Sequence, residues 1–304
     1  MPKHPTLLHQ FRSFCLQNHA DDMEKAIEYF SVFGGTSWKV DMHKPLLELM
    51  ETKIFKNYPY IHSDIAKITF SNKLSHTLLS AMATGDRRVH STFKRAHISR
   101  EEGESALDTL LDSALIRFEY SLERPVNIDD DNSDKLSFMT PFMRFWFAFV
   151  SPFYKTIKEG DYSEVEKSFA SREQEFYELI FKKLSFELLR KLMSDDPIVE
   201  VGSYWDKNAE IDILAKTVSG KLIAGSTKYK NTKVKKTELT KLKEQCAKAD
   251  FEPDLFVILS KSGFTSELKA LKGDDLKLFT IKSMKALVED VSEKELIPCE
   301  GKKY

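Results

Sequence analysis

The sequence predicts an α+β protein in which a helical N-terminal part gives way to a C-terminal stretch of alternating strands and helices. Three observations carry this. Apolar residues recur at helical spacing through the early chain, with Met23, Ile27, Phe30 and Phe33 on one face. Two short alternating segments near residues 116–120 and 136–138 flank a polar loop, as in a hairpin. Beyond residue 198, apolar, β-prone runs are separated by a single long charged helical segment at 237–249.

Residues 1–65 read as a helical piece. Asp21 or Asp22 supplies an N-cap for the Met23–Phe33 helix, and Gly34-Gly35 ends it. Another helix follows Pro45, with Leu46, Leu49, Met50 and Ile54 as its apolar stripe. Residues 66–140 have a different rhythm. Helices are predicted over 74–83, 88–96 and 99–114. The last begins with a capping box, in which Ser99 takes an amide at the helix start and Glu102 reaches back. Strands at 116–120 and 136–138 enclose a loop through Asp129-Asp130-Asp131. Three helices followed by a hairpin form the pattern of a winged helix-turn-helix. Residues 141–175 read as connecting helices with a break near Gly160. Residues 176–300 form an α/β domain with strands at 198–203, 209–215, 222–229, 255–260 and 276–280.

Composition narrows the function classes. A net charge of −1 gives the molecule no global field toward nucleic acid or membrane, so any such attraction is local. Cys15, Cys246 and Cys299 have no metal-site spacing, and so sparse a set fits a reducing cytoplasm. The apolar run at 145–150 is too short to cross a bilayer, and no signal peptide is read at the start. His62, His76, His90 and His97 are scattered and read as packing or surface residues.

One constellation carries chemistry. In Glu210-Ile211-Asp212-Ile213, strand alternation points the isoleucines into the core and Glu210 and Asp212 together to the other side. In the next strand, Ser226 and Lys228 share a face. If the strands pair, Asp212 and Lys228 converge. A carboxylate there can hold a hard cation such as Mg²⁺, and a lysine can steady charge developing on a phosphodiester. Glu178, on the preceding helix, is a candidate outer ligand, although Lys182 four positions on makes an ordinary helix ion pair the readier explanation.

This arrangement resembles the PD-(D/E)XK (restriction-endonuclease-like) nuclease superfamily. The wider chain resembles the region that follows the ATPase core in archaeal-type AAA/STAND ATPases. Phe33-Gly34-Gly35-Thr36-Ser37 looks like the turn of their lid, and Phe142-Met143-Arg144-Phe145-Trp146-Phe147 resembles the junction after their winged helix. Trp205-Asp206-Lys207-Asn208-Ala209-Glu210-Ile211-Asp212 and Ser260-Lys261-Ser262-Gly263-Phe264-Thr265 resemble segments of their C-terminal nuclease-like domain of unknown function. There are two departures. No Gly-x-x-x-x-Gly-Lys-[Ser/Thr] is present, so no ATP binding is implied. The strand that reads Glu-x-Lys in the superfamily reads Ser226-Thr227-Lys228 here. The resemblance therefore implies an α+β chain with an N-terminal helical segment, a winged helix and a PD-(D/E)XK-like α/β domain whose catalytic set (Asp212, Lys228, Glu178, Glu210, Ser226) is vestigial or weak. Asp212 and Glu178 are its metal candidates, with Mg²⁺ as cofactor if the site is active. Glu210 or Glu238 could replace the missing acid.

The partners implied are DNA or protein, with no membrane and no ATP. Lys230, Lys233, Lys235 and Lys236 flank the strand end where a phosphodiester would lie, and Arg87 and Arg88 mark the winged helix. Seven basic and seven acidic residues over 73–120 cancel, and Glu101, Glu102 and Glu104 crowd the start of its third helix. The expected function is a cytoplasmic nucleic-acid-binding or regulatory protein with an inactive nuclease-like domain. The alternatives are a Mg²⁺-dependent DNA endonuclease with a relocated acid and a protein-interaction scaffold.

Overall fold

The computed structural model describes residues 5–123 and 134–297; the acidic loop at Asp129-Asp130-Asp131 and Cys299 lie outside the described residues. The N-terminal helices are α1 (Leu7–Gln17), α2 (Met23–Phe33), α3 (Leu46–Met50, running on as a π-turn over Glu51–Phe55) and α4 (Tyr58–Ile68). Of the two aspartates, Asp22 is the α2 cap, accepting from the Glu24 amide at 2.8 Å and the Lys25 amide at 3.3 Å. Helices α5 (Lys73–Thr84), α6 (Val89–Ala96) and α7 (Arg100–Asp112) follow, then the antiparallel strands β1 (Ile116–Glu119) and β2 (Lys135–Phe138). The capping box at α7 forms as its sequence requires: the Glu102 amide donates to Ser99 Oγ, and the Ser99 amide donates to Glu102 Oε2.

Short helices α8 (Pro141–Phe145, with a π-turn over Trp146–Val150) and α9 (Tyr154–Glu159) lead to α10 (Ser163–Leu192), a helix of 30 residues. Gly160 stands between them at φ +82, the left-handed geometry a helix C-cap requires. Val165, Phe169, Phe176, Ile180, Leu184 and Leu188 give α10 a buried stripe at four- and seven-residue spacing. Position 175 lies inside this helix, so the connecting segment and the α/β unit are joined by one rigid rod. One hydrophobic core runs from Phe11 to Leu287 and takes in the N-terminal helices, α10 and one face of the main sheet.

That sheet has the order β3 (Ile198–Trp205), β4 (Glu210–Thr217), β5 (Leu222–Lys228), β6 (Leu255–Ser260), β7 (Leu276–Thr280). β3–β4–β5 pair antiparallel and β5–β6–β7 parallel. α11 (Lys236–Lys248) crosses over between β5 and β6, and α12 (Ser266–Lys269) precedes β7. The chain is therefore a mixed α+β protein with a mixed five-stranded sheet covered by α10 on one face and α11 on the other. Among the described residues, no helix is long and apolar enough to cross a membrane.

The β3–β4 pairing shifts register twice, between Ile198 and Glu200 and between Gly202 and Tyr204, and the second shift bears on the site. Gly202 pairs with Leu214 but Tyr204 pairs with Ile211, so β4 carries one residue more than β3 there, a β-bulge. Ile213 lies in the large core under α10, whereas Ile211 packs with Leu242 and Cys246 under α11. The two isoleucines thus face opposite layers, contrary to the alternation read from sequence. Asp212 sits at the bulge, and Ser203 Oγ donates to its carbonyl at 2.7 Å.

Candidate nuclease-like site

The bulge turns Asp212 toward the neighbouring strand and toward α10. Asp212 Oδ2 accepts from the Thr227 amide at 3.0 Å and from Ser226 Oγ at 3.3 Å. Lys228 Nζ stands 3.9 Å from Oδ2, and Lys182 Nζ, from α10, stands 3.9 Å from Oδ1. Lys182 thus reaches across to Asp212 as well as flanking Glu178 along its own helix.

Glu238, in the first turn of α11, reaches both Ser226 and Lys228. Its Oε1 accepts from Ser226 Oγ at 2.8 Å and lies 3.0 Å from Lys228 Nζ. One hydroxyl therefore donates toward both carboxylates, and one ammonium stands between them. Burial alone would lower the Lys228 pKa, but Asp212 and Glu238 outweigh it and raise it, which keeps the ammonium charged. A carboxylate in a helix's first turn is also favoured by the helix dipole.

Glu178 faces this group from α10 across a cleft of about 400 Å³ lined also by Arg87, Arg144, Lys182, Glu210, Asp212, Thr227 and Lys228. Burial raises the Glu178 carboxyl, and the Asp212 charge raises it further. Glu210 lines the same cleft, but it is committed elsewhere. Its Oε1 pairs with Lys135 Nζ at 2.9 Å, and that lysine lies over the Trp205 ring. Of the two candidate replacement acids, the fold brings Glu238 to Ser226 and Lys228 and sends Glu210 to the hairpin. Among the described residues, no three His, Cys, Asp or Glu side chains converge closely enough to hold a metal ion. As the site stands, Lys228 and Ser226 bridge the acids.

Two elements position the basic candidates. The Ser260–Thr265 segment packs beside the stretch after β5. The Lys261 amide donates to the Lys228 carbonyl at 2.9 Å, and Ser262 Oγ donates to the Lys230 carbonyl at 2.7 Å. Gly263 and Phe264 then pin Val234. Lys230, Lys233 and Lys235 line a second recess of about 310 Å³ that Lys228 and Glu238 also border, so the basic stretch adjoins the acid site. All three are exposed, as is Lys236. Arg87 does not lie on the open surface. It is turned inward, only 9% exposed, with its Nη1 2.6 Å from Glu119 Oε2, because the β1–β2 hairpin brings that acid beneath it. Arg88 is half-buried at the α6 start.

The sequence model of a family described as archaea bacterial proteins of unknown function matches residues 146–241, which takes in α10, β3, β4, β5 and the start of α11. That span carries Glu178, Glu210, Asp212, Ser226, Lys228 and Glu238. No curated protein and no solved structure matches the chain.

Proposed function

We propose that this chain is a metal-dependent DNA endonuclease of PD-(D/E)XK type, attached to a winged helix, in which Glu238 on the crossover helix replaces the acid missing at Ser226. The observation that carries the reading is the approach of a second carboxylate to Lys228 at 3.0 Å, opposite Asp212. The donor set suits a hard dication. Mg²⁺ is commonly held by one or two carboxylates with water completing its shell, and Asp212 and Glu238 bracket a single hydroxyl. When bound, such an ion polarises the phosphodiester and makes water a better nucleophile.

The chain's own residues divide the remaining work. The Thr227 amide fixes the Asp212 carboxylate. Lys228, kept charged by its two acids, is placed to steady negative charge developing on the scissile phosphate. Glu178 adds an acid on the opposite wall. Lys230, Lys233, Lys235 and Lys236 would take flanking phosphates, giving affinity without sequence preference. Cleavage of a labelled duplex in Mg²⁺ or Mn²⁺ tests this. Asp212→Ala abolishes cutting, and cutting that survives the change sinks the assignment.

A second reading has its own support. Lys228 Nζ stands 3.0 Å from Glu238 and 3.9 Å from Asp212, so one ammonium offsets charge at both acids, an arrangement that suits a domain that binds nucleic acid without cutting it. Salt-sensitive DNA retention with no cleavage in either metal favours that reading.

A further inference from the structure

Arg144 has no role in the site just described, and its surroundings are unusual. It projects from α8, is 9% exposed, and its guanidinium carbon lies 3.7 Å from the centre of the Phe176 ring. Its Nε and Nη1 atoms are buried with no hydrogen-bond partner. A buried charge is normally paired, because desolvation penalises it otherwise. The nearby acids are engaged elsewhere. Glu175 is bound by Arg172. Glu119 accepts from Arg87, with Lys183 at 3.9 Å. Arg87, Lys182 and Arg144 line the same cleft as Asp212, and its wall away from the sheet carries these three cations beside two acids, Glu175 and Glu178.

We propose that this wall is a phosphate-binding subsite built on Arg144, with Arg87 and Lys182 beside it, which receives a backbone or terminal phosphate of a nucleic-acid strand lying in the cleft. Guanidinium is suited to this, since it presents paired donors to an oxyanion in a fixed fork. The Phe176 ring, 3.7 Å from the guanidinium carbon, packs against the group from one side. The subsite rests on the nucleic-acid reading of the cleft but requires neither metal nor cutting.

The test uses the full chain in EDTA with a fluorescein-labelled single-stranded oligonucleotide, read by anisotropy. Arg144→Met, which keeps the side chain's length and its packing on Phe176, should weaken binding by roughly tenfold or more, the effect of removing a charge-assisted pair. EDTA removes any divalent metal, so a failed cleavage assay and a failed subsite are separate results. In the wild type, inorganic phosphate should compete better than chloride at equal ionic strength, a readout independent of how the variant folds. A preference for a 5′-phosphate over a 5′-hydroxyl assigns the subsite to a strand end, and equal binding assigns it to an internal phosphate. Arg144→Met binding like wild type, or phosphate competing no better than chloride, overturns the proposal.

Discussion

Glu119→Gln removes the carboxylate that holds together the cationic side of the cleft. Glu119 accepts from Arg87 Nη1 at 2.6 Å, and Lys183 Nζ lies 3.9 Å away; both cationic side chains are 11% exposed. Burial alone would raise the Glu119 carboxyl, but Lys183 and Arg87 outweigh it and hold it well below the usual carboxylate range. Burial pushes Lys183 down to about 7 against the opposing pull of Glu119. Removing one partner of a buried pair typically costs about 3–5 kcal/mol, because the other charge stays buried. At roughly 2–4 °C per kcal/mol, the scale for chains of about 150–250 residues, the melting temperature should fall by about 6–20 °C. The deficit also has a pH signature. A lysine whose folded pKa lies below its unfolded value of about 10.4 leaves the unfolded state holding more protons between the two, so stability from this group rises with pH from about 7 upward. In the variant, Lys183 is deprived of its counter-charge and its folded pKa falls further, so deprotonation relieves part of the deficit. Urea unfolding followed by circular dichroism at pH 6 and pH 9 reads both effects. A variant within about 0.5 kcal/mol of wild type at pH 6 would refute the claim that this cluster is an interdependent buried network.

Three other outcomes follow from the same geometry. A Cβ added at Gly225 would lie 2.4 Å from Val257 Cγ2 and 2.9 Å from the Val257 carbonyl, so Gly225→Ala should destabilise by about 1–3 kcal/mol in a thermal melt and disturb Ser226 next to it. Reversing charge at Lys235 and Lys236 should weaken DNA retention and flatten its salt dependence by about one unit of slope for each phosphate left unneutralised, measured as affinity against salt. Because burial and Asp212 raise the Glu178 carboxyl, metal affinity measured by calorimetry should still be climbing with pH above the ordinary carboxylate range, and Glu178→Gln should remove that part of the climb.

Much of the fold was legible because it follows from local chemistry. Ser99 and Glu102 announce the α7 start, and Gly160 the break before α10. The alternating segments on either side of the acidic loop announce the β1–β2 hairpin. The site was half legible. Asp212 and Lys228 meet because β4 and β5 are hairpin neighbours, as their spacing implied. Alternation could not reveal the bulge, since one extra residue in β4 leaves no mark in its apolar pattern. Glu210 and Glu238 were equal candidates in sequence, and only Lys135, reaching over from the hairpin, separates them. Arg87 looked like a surface cation because its partner, Glu119, is 32 residues away. Arg144 gave no signal of its own, being one charge inside an aromatic run whose burial depends on α10.

If Glu238 does the work of the acid missing at Ser226, exchanging the two positions tests it most directly. Metal-dependent cleavage of a labelled duplex would be compared for wild type, Glu238→Ser, and the double variant Ser226→Glu with Glu238→Ser. The single change should abolish cutting and the double variant should restore it, because the carboxylate returns from the strand to the same side of Lys228. Cutting that survives Glu238→Ser, or wild-type protein that binds DNA but cuts it in neither Mg²⁺ nor Mn²⁺, would contradict the assignment.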